Sequence, residues 1–270
     1  MARKRHIRWD RVAAVFGPLL LLILLLCVCC KDRGASDESS LTIRTTDART
    51  PVPLQTTADS QAVPVTNPDV REYTIVLDPG HGGNDDGATN RDKTRLEKND
   101  NLQLSLAVRD HLLKHPHVRV LMTRETDVFV ELDERCRIAN SANADFFVSI
   151  HRNSATDGDG VEIWVNNSAK DNAMDKLLGG YIMEKLDEVG VSNNRGVRYG
   201  FRGSSRETVG NNYYVNRNTN MPSCLVEMGF MTSDVDNRFF DERMDQYAEA
   251  IASAIIEIGE DKNLYNASAQ

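Results

Sequence analysis

The chain has 270 residues, 40% of them apolar, which is enough for one core domain of about 200 residues plus appendages. Charge is divided unevenly. Residues 1–33 hold seven basic side chains (Arg3, Lys4, Arg5, Arg8, Arg11, Lys31, Arg33) against Asp10 and Asp32; removing these from totals of 32 basic and 40 acidic residues leaves 25 against 38, a net −13 for the rest. So acidic a body argues against nucleic acid as a partner, because phosphate binding needs a basic face.

Val12 to Cys30 is a 19-residue run without a charge. As a helix it would span roughly 28 Å, close to the hydrocarbon thickness of a bilayer. Five basic residues precede it, which predicts a cytoplasmic tail over 1–11, a transmembrane anchor over 12–30 and an exported body. The alternatives are a cleaved signal segment, although no small-x-small site follows, and a lipoprotein, although Leu26-Cys27 lacks the small pair such processing favours. The expected location is therefore the cell membrane, single-pass, with the body outside the cytoplasm, or secretion if the segment is cut. Residues 31–70 contain 20 Ser, Thr, Pro or Asp and no aromatic residue, a composition that predicts a flexible extracytoplasmic linker.

The body, residues 71–260, opens on Tyr73 to Leu77, a β-branched and apolar run stopped by Pro79-Gly80, as in a strand buried on both faces. His81 follows just past the strand's carboxyl end, where open α/β sheets bind ligands. Asp85 to Arg95 reads as a loop. A helix is expected from about Asn99 to His115, with Glu97 at its entrance. Next come a strand at Val118–Thr123, a helix at Glu131–Ser141, and a strand at Asp145–Ile150 that ends in His151. A strand at Val161–Val165 and a helix at Asn172–Val189 continue the alternation. The Gly-rich stretch from Asn193 to Tyr214 holds Arg195, Arg198, Arg202 and Arg206, which would either contact an anionic ligand or lie in a solvated loop. Ser223–Met228 is the last strand, Asp241–Ile258 the last helix, and 261–270 a polar tail. Alternating strands and helices predict a single α/β domain with a mostly parallel twisted sheet.

Four residues stand out. His81, His151 and Glu227 fall at or near strand ends and Glu97 at a helix start, so a sheet with its carboxyl edges together would gather them into one cleft. Two imidazoles and one carboxylate are a common catalytic zinc set, and a second carboxylate could shuttle the proton. Each has a plainer reading: His151 as a hydrogen-bonded core histidine, Glu97 as a charge favouring the helix's amino end. Glu227 is harder to dismiss, because a carboxylate inside CLVEMGF should be buried at a cost of several kcal/mol unless something holds it. His111, His115 and His117 read as surface residues, and Cys136 and Cys224 as small apolar residues with a bridge left open.

Taken together, LDPGHGG, LEKNDNL, TRETDVFVELDERCRIAN, ADFFVSIH and NRNTNMPSCLVEMGF, in this order, resemble the zinc-dependent N-acetylmuramoyl-L-alanine amidases of the bacterial cell wall, amidase type 3. The resemblance covers Tyr73 to Ile258. It implies a mixed α/β sheet with helices on both faces, one Zn2+ held by His81, Glu97 and His151, and Glu227 as the catalytic carboxylate. The implied reaction frees stem peptides from peptidoglycan by cutting the bond between N-acetylmuramic acid and L-alanine. Two departures have consequences. Arg152 stands where the family often has a small residue, which would change the cleft's charge. Only nine residues separate His151 from Val161, too few for the inserted blocking helix of some relatives. The rival readings are a zinc peptidase acting on another exported amide and a silent wall-binding module.

Overall fold

Every residue of β1 (Tyr73–Pro79) is buried, because its alternating side chains serve two separate cores. Tyr73, Ile75 and Leu77 enter the larger apolar cluster on one face of the sheet and Val76 the smaller one on the other. The computed structural model describes residues 72–167, 172–200 and 212–261. The expected anchor, the linker, Arg202, Arg206 and the tail beyond 261 lie outside the described residues, within which no helix is long and apolar enough to cross a membrane.

The remaining strands are β2 (Val118–Met122), β3 (Phe146–Asn153), β4 (Val161–Val165), β5 (Asn194–Tyr199) and β6 (Ser223–Phe230), in the sheet order β2-β1-β3-β6-β4-β5. All neighbours pair in parallel except β4 and β6. The sheet is thus mixed, with parallel pairing dominant. The reversal at β4 has a simple cause: a parallel crossover takes a dozen or more residues, and Ser154 to Gly160 is too short to return along the sheet.

Helices cover both faces. α1 (Glu97–Leu112), α3 (Asn172–Val189) and α5 (Asp234–Asp261) pack on the larger cluster through residues such as Leu104, Leu178 and Ile255. α2 (Leu132–Ser141) and the short α4 (Tyr214–Asn218) pack on the smaller one through Cys136, Ala139 and Val215. Cys136 and Cys224 are free, buried, and on opposite faces of the sheet, so the bridge does not form. Burial pushes the Cys136 thiol up to about 11, as expected of an inert apolar residue.

Three elements differ from the sequence expectation. β5 lies inside the stretch read as loop; it is an edge strand whose residues are exposed or half-buried, so its sequence NRGVRY lacks an apolar run. α4 is only one turn long. α5 begins at Asp234 rather than Asp241, because Ser233 Oγ accepts the Asp236 N–H at 3.2 Å, a cap that starts the helix well before its apolar stripe.

Candidate metal centre

The turn after β1 leaves backbone carbonyls with no ladder partner, and two buried arginines supply the missing donors. Arg124 donates to Pro79 O (2.9 Å), Gly80 O (2.9 Å) and Lys98 O (2.8 Å). Arg135 donates to Pro79 O (2.8 Å) and His81 O (2.9 Å), and also to Asp78 Oδ1 (2.7 Å). Thr123 and Ser149 hydroxyls complete Asp78 at 2.6 and 2.7 Å. His81 is thereby held at φ 61°, a left-handed conformation that costs a non-glycine residue roughly 1–2 kcal/mol. Gly80 allows this turn to lie flat against the second histidine: a Cβ there would fall 2.1 Å from His151 Cε1.

Glu97, the first residue of α1, is 3% exposed. Its Oε1 lies 3.2 Å from His81 Nε2 and 3.0 Å from His151 Nδ1, and also accepts the Arg152 N–H at 3.1 Å. Oε2 accepts the Ala88 N–H at 2.7 Å. Asp85 Oδ2 meets His81 Nδ1 at 2.8 Å, which orients that ring with Nε2 toward Glu97. The ring centroids of His81 and His151 are 4.9 Å apart. One ligand atom from each of His81, Glu97 and His151 lies within 4.8 Å of the other two, and this is the only group of that kind among the described residues.

The electrostatics fit a cation. Burial disfavours charge on His81, but its bonds to Glu97 and Asp85 prevail and raise its pKa to about 9. Burial likewise works against ionised Glu97, yet the two imidazoles hold it well below the usual carboxylate range. A carboxylate this strongly ionised, facing two imidazole nitrogens, is a donor set suited to zinc, which would compete with protons for the same atoms. The cluster opens on a cleft of about 390 Å³ walled by Phe129, Leu132, Tyr213, Tyr214 and Leu225.

Glu227 sits on β6 directly across from His151 on β3 and Glu162 on β4. Alternation along β6 puts it on the face of Leu225, the cleft side, and it is 7% exposed. His81, Glu97 and His151 thus form one cluster, and Glu227 stands on the neighbouring strand in register with His151. Arg152 corrects an expectation: it does not enter the cleft. It is 2% exposed and points to the opposite face, pairing with Asp100 and Asn237 (2.8 Å) and lying 4.4 Å from the Phe240 ring centre. Arg195 and Arg198 are not simply solvated, since both reach Glu162. His111 bonds Asp245 across α1 and α5 at 2.9 Å, His115 is exposed, and no metal group forms there among the described residues.

Sequence reasoning missed Asp78, Asp85, Arg124, Arg135 and Glu162. For Glu162 the signal was present: GVEIW sets a carboxylate in an apolar strand just as CLVEMGF does.

Residues 75–257 match the N-acetylmuramoyl-L-alanine amidase family. The chain belongs to it. Zinc dependence is general in this amidase family. An N-acetylmuramoyl-L-alanine amidase from Clostridium difficile 630 superposes with a TM-score of 0.63 at 33% identity, covering 71% of this chain and 99% of that one. An amidase of Nostoc punctiforme gives 0.58 at 36% identity, covering 70% and 98%. The Bacillus licheniformis amidase CwlM is 36% identical over 165 residues, 60% of this chain and 58% of its own length. Three curated amidase relatives are matched over only 23%, 56% and 57% of their own lengths.

Proposed function

We propose that the chain is a zinc-dependent N-acetylmuramoyl-L-alanine amidase, hydrolysing the amide between the lactyl group of N-acetylmuramic acid and L-alanine in peptidoglycan. The observation that carries this reading is the meeting of His81, Glu97 and His151 at one cleft in a chain of this family. We assign to these three residues the role of holding the ion, which each would bind through one ligand atom. Zinc held there would supply Lewis acidity to the scissile carbonyl and lower the pKa of a water. Glu227 is the proton carrier: its carboxylate takes the proton of the attacking water and returns it to the leaving alanine nitrogen. Asp85 keeps His81 turned to the ion, and the Arg124 and Arg135 bonds keep the His81 turn in place. Residues 154–160 form a short helix-free connection, which leaves no room there for an inserted blocking helix.

Purified sacculi test the reading. Release of free stem peptides with intact glycan strands is the expected product; cleavage within the peptides would reject the amidase in favour of a peptidase, and no release would favour a silent wall-binding module.

The N-terminal reading rests on sequence alone. Residues 12–30 anchor the chain in the cell membrane and 31–70 tether the catalytic body outside the cytoplasm, within reach of the wall. Recovery of the protein in the soluble cytosolic fraction would refute it.

A further inference from the structure

The sheet face that bears the cluster has chemically opposite margins. Beyond His81 the rim is apolar and acidic: Phe129 and Leu132 are 44% and 50% exposed, and Asp85 and Glu131 line the same cleft. At the other margin two guanidiniums share one buried carboxylate oxygen, with Arg195 Nε 2.8 Å and Arg198 Nε 3.2 Å from Glu162 Oε2. Glu162 is itself fixed by Asn153 Nδ2 (2.7 Å) and Trp164 Nε1 (3.2 Å), so the pair is held in position. Arg195 is further engaged by Asp159 O at 3.4 Å and by the Phe230 ring at 5.2 Å. Arg198 is the more exposed of the two.

Distance along the sheet fits a short peptide. His151, Glu227 and Glu162 stand in register on adjacent strands, so the Glu162 carboxylate and its arginines lie about two strand spacings, roughly 10 Å, from the histidine's strand. Two residues of extended peptide span about 7 Å. A peptide leaving the metal over β6 and β4 therefore brings its second residue to the arginines. A peptide running the other way would carry its carboxylate against Asp85 and Glu131.

We propose, resting on the amidase reading of this cleft, that the substrate lies across the sheet with its sugar on the Phe129–Leu132–Tyr214 rim, and that Arg198, seconded by Arg195, binds the carboxylate of the second stem-peptide residue. The sugar's C–H face suits an aromatic and aliphatic surface, and a guanidinium fork suits a carboxylate.

The test uses sacculus cleavage by the full chain, inhibited by L-alanyl-D-glutamate or by the same dipeptide with its α-carboxylate amidated. The acid should inhibit about tenfold more tightly than the amide, the discrimination expected of one charged hydrogen bond. In Arg198→Ala that preference should fall to within about twofold. Phe129→Ala should keep the preference intact while raising the sacculus concentration needed for half-maximal rate. Equal inhibition by acid and amide, inhibition by neither, or a preference that survives in Arg198→Ala would overturn the assignment while leaving the amidase reading standing. Failure to release stem peptides at all would strike the amidase reading instead, and this one with it.

Discussion

The two faces of the sheet are built by the same strands to opposite ends. One face is sealed by α1, α3 and α5 over side chains such as Ile75, Val148, Val226 and Ile255, all fully buried. Among the described residues the other is covered only by α2 and α4, and there the same strands present Asp78, Ser149, His151, Glu162 and Glu227. Alternation along each strand lets a single segment supply hydrophobic stability to one side and ionisable chemistry to the other, with little interference between them.

That separation can be broken from either side. The largest effect should come from Glu227→Gln, which removes the proposed proton carrier: kcat should fall by about 10²–10⁴-fold while the zinc content of the metal-loaded protein, measured by metal analysis, stays unchanged. Undiminished turnover would refute the role.

Next is the buried pair behind the His81 turn. Arg135→Met leaves Asp78 buried without its guanidinium and should cost about 3–5 kcal/mol in denaturant unfolding at neutral pH. Burial pushes the Asp78 carboxyl up, but Arg135, Thr123 and Ser149 together hold it below its ordinary value. Its stabilising contribution is thus present above the unfolded pKa, near 4, and is lost as the pH falls through the lower folded value. The gap between wild type and Arg135→Met should accordingly narrow below about pH 4; a gap that widens in acid would contradict the assignment.

The smallest effect belongs to the sealed face. Ile255→Val should lower stability by about 0.5–1.5 kcal/mol and leave kcat unchanged, whereas a change in turnover would show that the two faces are coupled.

The sealed face was the easier to read. Buried parallel strands are near-continuous apolar runs and their covering helices carry periodic stripes, so Tyr73–Leu77, Val161–Val165 and Asn172–Val189 are plain in the sequence. His81, Glu97, His151 and Glu227 were legible because each is a polar residue where the pattern demands an apolar one or a turn. The supports were not. Arg124 and Arg135 act by donating to backbone carbonyls, and nothing in a residue's type announces a carbonyl in need of a donor. Arg152 was misread because its place next to a candidate ligand suggested the cleft, whereas strand alternation turns adjacent side chains to opposite sides. β5 escaped because edge strands need no apolar alternation.

The placing of β6 has a consequence for how the molecule comes into being. Although it lies fourth from one edge of the sheet and third from the other, it is the last of the described strands to be synthesised, yet it must slide between β3 and β4, which the ribosome has already delivered. Until residues beyond 223 are available, the middle of the sheet has a gap and the strand bearing Glu227 is missing. Pairings so distant in sequence form slowly. The site that includes Glu227 is therefore completed only late in the chain's own synthesis.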